Sequence, residues 1–199
     1  ASGAESLGFL PGTFDAAVRG MSPDGGAIVG VAQVAGLEGQ TAWRWTAAEG
    51  MVRLGDFPGG SEYSAANDAS ADGAVVVGFG TVSFQLSNVT DQRAFRWTAK
   101  DGMVQLPPLP GSDYDEATAV TPDGRVVAGW SRVKAKTHAT VWDEHGPIDV
   151  HDVMTAHGID MSDWAWTQVT DISADGKTIV GWAIRASTYE RTAFRAVLP

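Results

Sequence analysis

The apolar positions of this chain fall in short blocks, and the blocks repeat. In one stretch Ala74–Phe79 (AVVVGF) is a continuous, largely β-branched run, Arg93–Thr98 (RAFRWT) alternates large apolar with polar residues, and Met103–Leu106 (MVQL) is a shorter apolar run. A continuous run bounded by turn residues reads as a strand buried on both faces, and period-two alternation as a half-buried strand. Ahead of them, Ala65–Ser70 (AANDAS) enters an Ala71-Asp72-Gly73 turn, and Lys100-Asp101-Gly102 supplies a second turn. Asp-Gly between strand-like segments signals a hairpin, because glycine accepts the positive φ that the turn demands. The pattern predicts four short antiparallel strands joined by tight turns.

The same phrases return along the chain. SADGAVVVG at Ser70–Gly78 is echoed by SPDGGAIVG at Ser22–Gly30, TPDGRVVAG at Thr121–Gly129 and SADGKTIVG at Ser173–Gly181, so the starts at 22, 70, 121 and 173 lie 48, 51 and 52 residues apart. A second phrase keeps step: TAWRWTA at Thr41–Ala47, RAFRWTA at Arg93–Ala99, HATVW at His138–Trp142 and TAFRA at Thr192–Ala196. A third follows as GMVRLGDFPGG from Gly50, GMVQLPPLPG from Gly102 and GPIDV from Gly146. A fixed period of this size marks a repeat architecture, and four strands per period is the pattern of a β-propeller blade. The expected fold is therefore all-β. It is a four-bladed β-propeller filling one repeat domain over residues 1–199, with repeats at about 7–53, 54–105, 106–149 and 150–199.

Two details refine this expectation. The last unit reaches AFRAVLP without a fourth strand, while Leu7-Gly8 matches Leu54-Gly55 at the end of a fourth strand. Residues 1–10 are expected to complete the last blade and close the ring, which would remove exposed sheet edges. In Asp149–Gly158 (DVHDVMTAHG), Asp149 is placed to cap a short helix near 150–157, Val150, Val153 and Met154 form its apolar stripe, and Gly158 ends it. Trp45, Trp97 and Trp142 share one place in the third strand, and Trp130 and Trp182 another just past the second. Such equivalent tryptophans are read as packing between blades.

Composition narrows the partners. The 24 acidic residues outnumber the 14 Lys and Arg for a formal charge of −10, which argues against nucleic acid, since phosphate recognition needs a basic face. No apolar run is long enough for a membrane span, so no membrane insertion is expected. The absence of cysteine excludes disulfides and thiolate metal sites. The 24 glycines suit many turns. Asn88-Val89-Thr90 matches a glycosylation sequon and is read as chance.

Motifs of catalysis are missing. No GxSxG, phosphate loop or HExxH occurs, so no catalytic residue, no cofactor and no enzyme activity is expected. His145, His151 and His157 recur every six residues beside Glu144, Asp149, Asp152 and Asp160. Six helical residues turn through about 600°, so these imidazoles point to different sides and are read as solvated, with no metal site. The repeated Asp24, Asp72, Asp123 and Asp175 are read as turn formers that bond their own backbone. Better candidates lie in the connections between units, at Pro11–Ala16, Pro58–Ser64, Pro110–Glu116 and Gly158–Thr167. Counting back seven from each SxDG start makes Asp15, Tyr63, Tyr114 and Trp166 equivalent, with Glu62, Asp115 and Asp163 beside them. Aromatics next to carboxylates stack on sugar rings and bond hydroxyls, so these seven form the candidate ligand-binding set.

The ordered combination of LGxLPGG-like, SADGxxVVG-like and xAFRWT-like phrases resembles the HAF repeat family of bacterial extracellular repeat proteins, whose name-giving motif reads here TAW, RAF, HAT and TAF. The third unit departs most, since HATVW lacks the aromatic and the arginine. The resemblance implies a bacterial, secreted or cell-surface location and no defined reaction. The expected function is a non-catalytic binding or adhesion module, monomeric, with a glycan or a surface protein as partner. A structural passenger or spacer segment of an autotransporter-like protein stays open as the alternative, and a glycoside-acting enzyme on the loop face ranks last.

Overall fold

The computed structural model describes residues 3–35, 39–82 and 91–198; the sequon at Asn88 lies outside them. It is all-β apart from one helix, and its strands fall into four successive meanders. The first holds β1 (Thr13–Met21), β2 (Ala27–Val34), β3 (Gln40–Thr46) and β4 (Gly50–Arg53). The second holds β5 (Ser61–Ala69), β6 (Val76–Thr81), β7 (Gln92–Thr98) and β8 (Gly102–Gln105). The third holds β9 (Ser112–Val120), β10 (Val127–Val133), β11 (Lys136–Asp143) and β12 (Gly146–Asp149), followed by α1 (Val150–Ala156). The fourth holds β13 (Trp164–Ile172), β14 (Thr178–Arg185) and β15 (Arg191–Val197). Pairing inside each meander is antiparallel, and single parallel bridges, Gln40 to Tyr63 and Thr137 to Trp166, join meanders into two mixed sheets.

The four SxDG phrases build one structure four times. In each turn the first hydroxyl donates to the aspartate: Ser22 to Asp24, Ser70 to Asp72, Thr121 to Asp123 and Ser173 to Asp175, at 2.5–2.7 Å. The same carboxylate oxygen accepts the backbone N–H two residues on, and the hydroxyl accepts an N–H five residues on. Gly25, Gly73, Gly124 and Gly176 take the positive φ that closes the turn. The hydroxyl bond first, and the backbone N–H second, hold all four aspartates below the usual 3.8. Their contribution to stability is present above that value and is lost as the pH falls through the lowered folded value.

Most of the core lies between consecutive meanders, with a smaller cluster around Trp43 inside the first. Val29, Ala42 and Leu54 of the first pack on Ala66, Val76, Phe95 and Trp97 of the second; Val77 and Ala94 pack on Val127 and Trp142 of the third; Ala128 and Val141 pack on Val169 and Ile179 of the fourth. Trp97 and Trp142 take part, with Arg44 over the Trp97 ring across a junction and the Trp142 indole donating to Pro107 O, whereas Trp45, Trp130 and Trp182 meet partners in their own meanders. The helix forms where expected, with Asp149 accepting from the His151 N–H as its N-cap and Gly158 at positive φ past its end.

The strand expected at residues 1–10 is not seen among the described residues 3–10. Strand β15 pairs with β14 alone among the described residues, and Leu7 and Leu10 instead pack on Trp43 of the first meander. The pull is hydrophobic: Leu10 is buried against Ala32 and Trp43 there, and such burial outweighs a short ladder of backbone bonds at an edge. Phe14, Val18 and Met21 of β1 are left exposed.

Candidate functional site

Each meander's first strand has a β-bulge at the same place, and the extra residue is polar. The register skips Arg19 in β1, Asn67 in β5, Thr118 in β9 and Thr170 in β13. A bulge re-aims the unpaired side chain, toward the next meander in the first three cases, while Thr170 bonds Val180 O of its own. Arg19 Nη1 donates to Asn67 Oδ1 at 3.0 Å, Asn67 Nδ2 donates to Glu116 Oε1 and Ala117 O, and Thr118 Oγ1 donates to Val169 O. The result is a polar belt that stitches the first strands of the four meanders together. Asp68, beside it, accepts from the Val120 and Ala69 N–H groups. The sequence reading missed the belt, although its signal was present: each member stands three residues before an SxDG turn.

The belt carries a pH dependence. Burial, with the like charge of Asp171 adding to it and the two backbone N–H groups opposing it, pushes Asp68 up to about 6, and burial raises Glu116 as well. A carboxyl that holds its proton more tightly in the folded chain favours folding. That contribution is complete below the ordinary 3.8 and is lost as the pH rises through about 6. Denaturant melts across this window are therefore expected to show falling stability with rising pH, and Asp68→Asn to flatten part of the slope.

The seven residues of the candidate ligand set are distributed over all four meanders. Asp15, Tyr63, Tyr114 and Trp166 do occupy equivalent positions, each third in its strand, yet they belong to strands rather than to free loops. Tyr63 and Trp166 form the parallel bridges between meanders, and Tyr114 stacks on Trp130 at 5.0 Å while its hydroxyl donates to Gln92. Burial, and then Glu116, push the Tyr114 hydroxyl up to about 12. Asp115 is buried against Arg93, whereas Glu62 is exposed beside Arg53 and Asp15 is exposed on β1. Asp163 binds the Ser187 N–H and hydroxyl in a turn. Internal partners thus engage most of the set.

The fourth meander offers a different feature. Helix α1 and the segment after it form, with β13–β15, a half-open pocket of about 150 Å3, lined chiefly by Val150, Met154, Ile159, Met161, Trp164 and Phe194, with Arg195 also on its wall. Asp163 and Trp166 of the candidate set flank Trp164 in sequence at its edge. The polar end of the cavity holds His151 and Thr167. His151 sits with His138 and Asp149, their potential ligand atoms all within 4.8 Å of one another; it is the one group of described residues able to hold a metal ion. His145 and His157 are exposed, but the reading of His151 as solvated is corrected: it is buried in the first turn of α1. His138 escaped notice because it lies on β11, eleven residues before Asp149, and antiparallel pairing of β11 with β12 brings them together.

No family model and no curated protein matches the chain. Solved structures do. TolB from Acinetobacter baumannii is similar at 14% identity and a TM-score of 0.52, over 96% of this chain and 45% of that one. A TolB from Agrobacterium tumefaciens is similar at 14% identity and a TM-score of 0.59, over 89% of this chain and 59% of that one. The chain thus spans about half the length of these structures. They are β-propellers, and the likeness shows a propeller-like fold.

Proposed function

We propose that this chain is a non-catalytic binding module in which the four meanders act as four propeller blades, with β1, β5, β9 and β13 innermost. The cavity beneath α1 carries this reading. It stands where the repeat pattern is interrupted by an insertion, and its walls are chiefly apolar. About 150 Å3 of apolar space accepts a group the size of a benzene ring. An aliphatic or aromatic side chain of a protein partner fits that space better than a sugar, whose hydroxyls would find few bonds there. Secretion or surface display, with adhesion as the outcome, accords with the repeat resemblance.

Selection of a phage-displayed peptide library on the immobilised chain tests this. Enriched peptides are expected to share one apolar anchor, and Ile159→Trp, at an exposed rim position, is expected to weaken them about tenfold. A glycan array run alongside separates the two partner classes. Binding to glycans only, undisturbed by Ile159→Trp, would move the site elsewhere; no ligand from either screen would favour a spacer role.

A further inference from the structure

We propose that His138, Asp149 and His151 form a binding site for a divalent transition-metal ion of the zinc class, at the junction of the third and fourth meanders. The proposal does not rest on the peptide-binding reading.

The hydrogen bonds fix which atoms are free. The Thr167 hydroxyl donates its single proton to Thr137 O at 3.1 Å and accepts the Ala139 N–H at 2.8 Å. With that proton directed at Thr137 O, His151 Nε2, 2.8 Å from the same oxygen, is the donor in their contact, the tautomer that leaves Nδ1 its lone pair. Asp149 spends Oδ1 on the His151 backbone N–H and keeps Oδ2 for His138 Nδ1 at 2.7 Å. The two imidazoles are stacked with centroids 4.3 Å apart. Metal-bound histidines characteristically have the second ring nitrogen held by an oxygen acceptor, and the Thr167 contact supplies this for His151.

The donor set suits a cation: two imidazoles and a carboxylate converge at one place, and Asp149 and His151 are held there by hydrogen bonds. A zinc ion binds imidazole nitrogen and carboxylate oxygen at about 2.0–2.2 Å, which sets such ligands roughly 3.4 Å apart. Atoms already within 4.8 Å reach this by small side-chain shifts, with the ion taking the place of the proton between His138 and Asp149. Two nitrogens and one oxygen disfavour calcium and magnesium, which prefer all-oxygen sites.

The equivalent positions sharpen the case. The place of His138 is held by Thr41, Arg93 and Thr192 in the other repeats, and Arg93 answers Asp115 with a salt bridge. The junction of the second and third meanders is thus closed by an ion pair. A purely structural polar contact at the next junction is the competing explanation, and it predicts no uptake of metal.

The test uses the tag-free chain, stripped with a chelator. Titration with Co2+, followed by visible absorption, and with Zn2+, followed by calorimetry, is expected to give one equivalent bound and a rise in melting temperature. His138→Gln and Asp149→Asn are each expected to weaken binding about tenfold or more. Asparagine still caps a helix, so Asp149→Asn keeps the fold. The His145→Gln/His157→Gln double variant is expected to bind as the parent does. No uptake, uptake indifferent to His138→Gln and Asp149→Asn, or uptake lost only in the double variant would each overturn the proposal.

Discussion

Arg93→Ala is expected to destabilise the chain by about 3–5 kcal/mol, a larger effect than any other single charge should show. The reason is Asp115, which is 1% exposed and cannot reach water when its partner is gone. Arg93 Nη1 lies 2.9 Å from Asp115 Oδ2 and 3.3 Å from Ser112 O, and its Nη2 lies 2.7 Å from Asp91. Without the guanidinium, Asp115 retains the Ser112 hydroxyl but no counter-charge. Urea melts should show the loss, and Arg93→Met combined with Asp115→Leu should recover most of it, because replacing a buried pair by apolar groups removes both desolvation penalties. The exposed pair Arg132–Asp113 supplies the contrast. Asp113→Ala is expected to change stability by no more than about 1 kcal/mol. Equal losses from Arg93→Ala and Asp113→Ala would refute the assignment of Arg93 as the clamp of this junction.

Gly78→Ala is expected to cost about 3 kcal/mol. A Cβ there would stand 2.0 Å from Ala65 O and 3.0 Å from two further backbone atoms, none of which can swing aside. The same 2.0 Å approach occurs at Gly30, to Ala17 O, at Gly129, to Glu116 O, and at Gly181, to Gln168 O. In every case the first strand bulges beside the glycine. The closing glycine of each SxDGxxVVG phrase is thus demanded by close backbone approach, whereas the glycine inside each turn is demanded by its φ. Gly50→Ala, at φ 68° with nothing within 4 Å of the added carbon, should cost only about 1–2 kcal/mol. A thermal melt of Gly78→Ala close to the parent's would show that the bulge gives way more easily than the packing implies.

The strands, their turns and the helix were legible because each rests on local chemistry. A hydroxyl, a carboxylate and a glycine at fixed offsets close the same turn in any context, and four copies of SxDG therefore fixed four hairpins from the sequence by itself. Asp149 and Gly158 bounded α1 for the same local reason. Equivalence of Asp15, Tyr63, Tyr114 and Trp166 was also legible, since a repeat carries its register with it. Their surroundings were decided by the neighbouring meander, which pairs with the backbones of Tyr63 and Trp166 and takes the Tyr114 hydroxyl on Gln92. The N-terminal segment followed Leu7 and Leu10 to Trp43, because apolar burial acts through space and repeat logic does not describe it. The bulged belt of Arg19, Asn67 and Thr118, and the meeting of His138 with Asp149 and His151, depend on strand register and on contact between units. Local bonds wrote the repeating unit into the sequence; long-range packing alone determined which polar groups face one another.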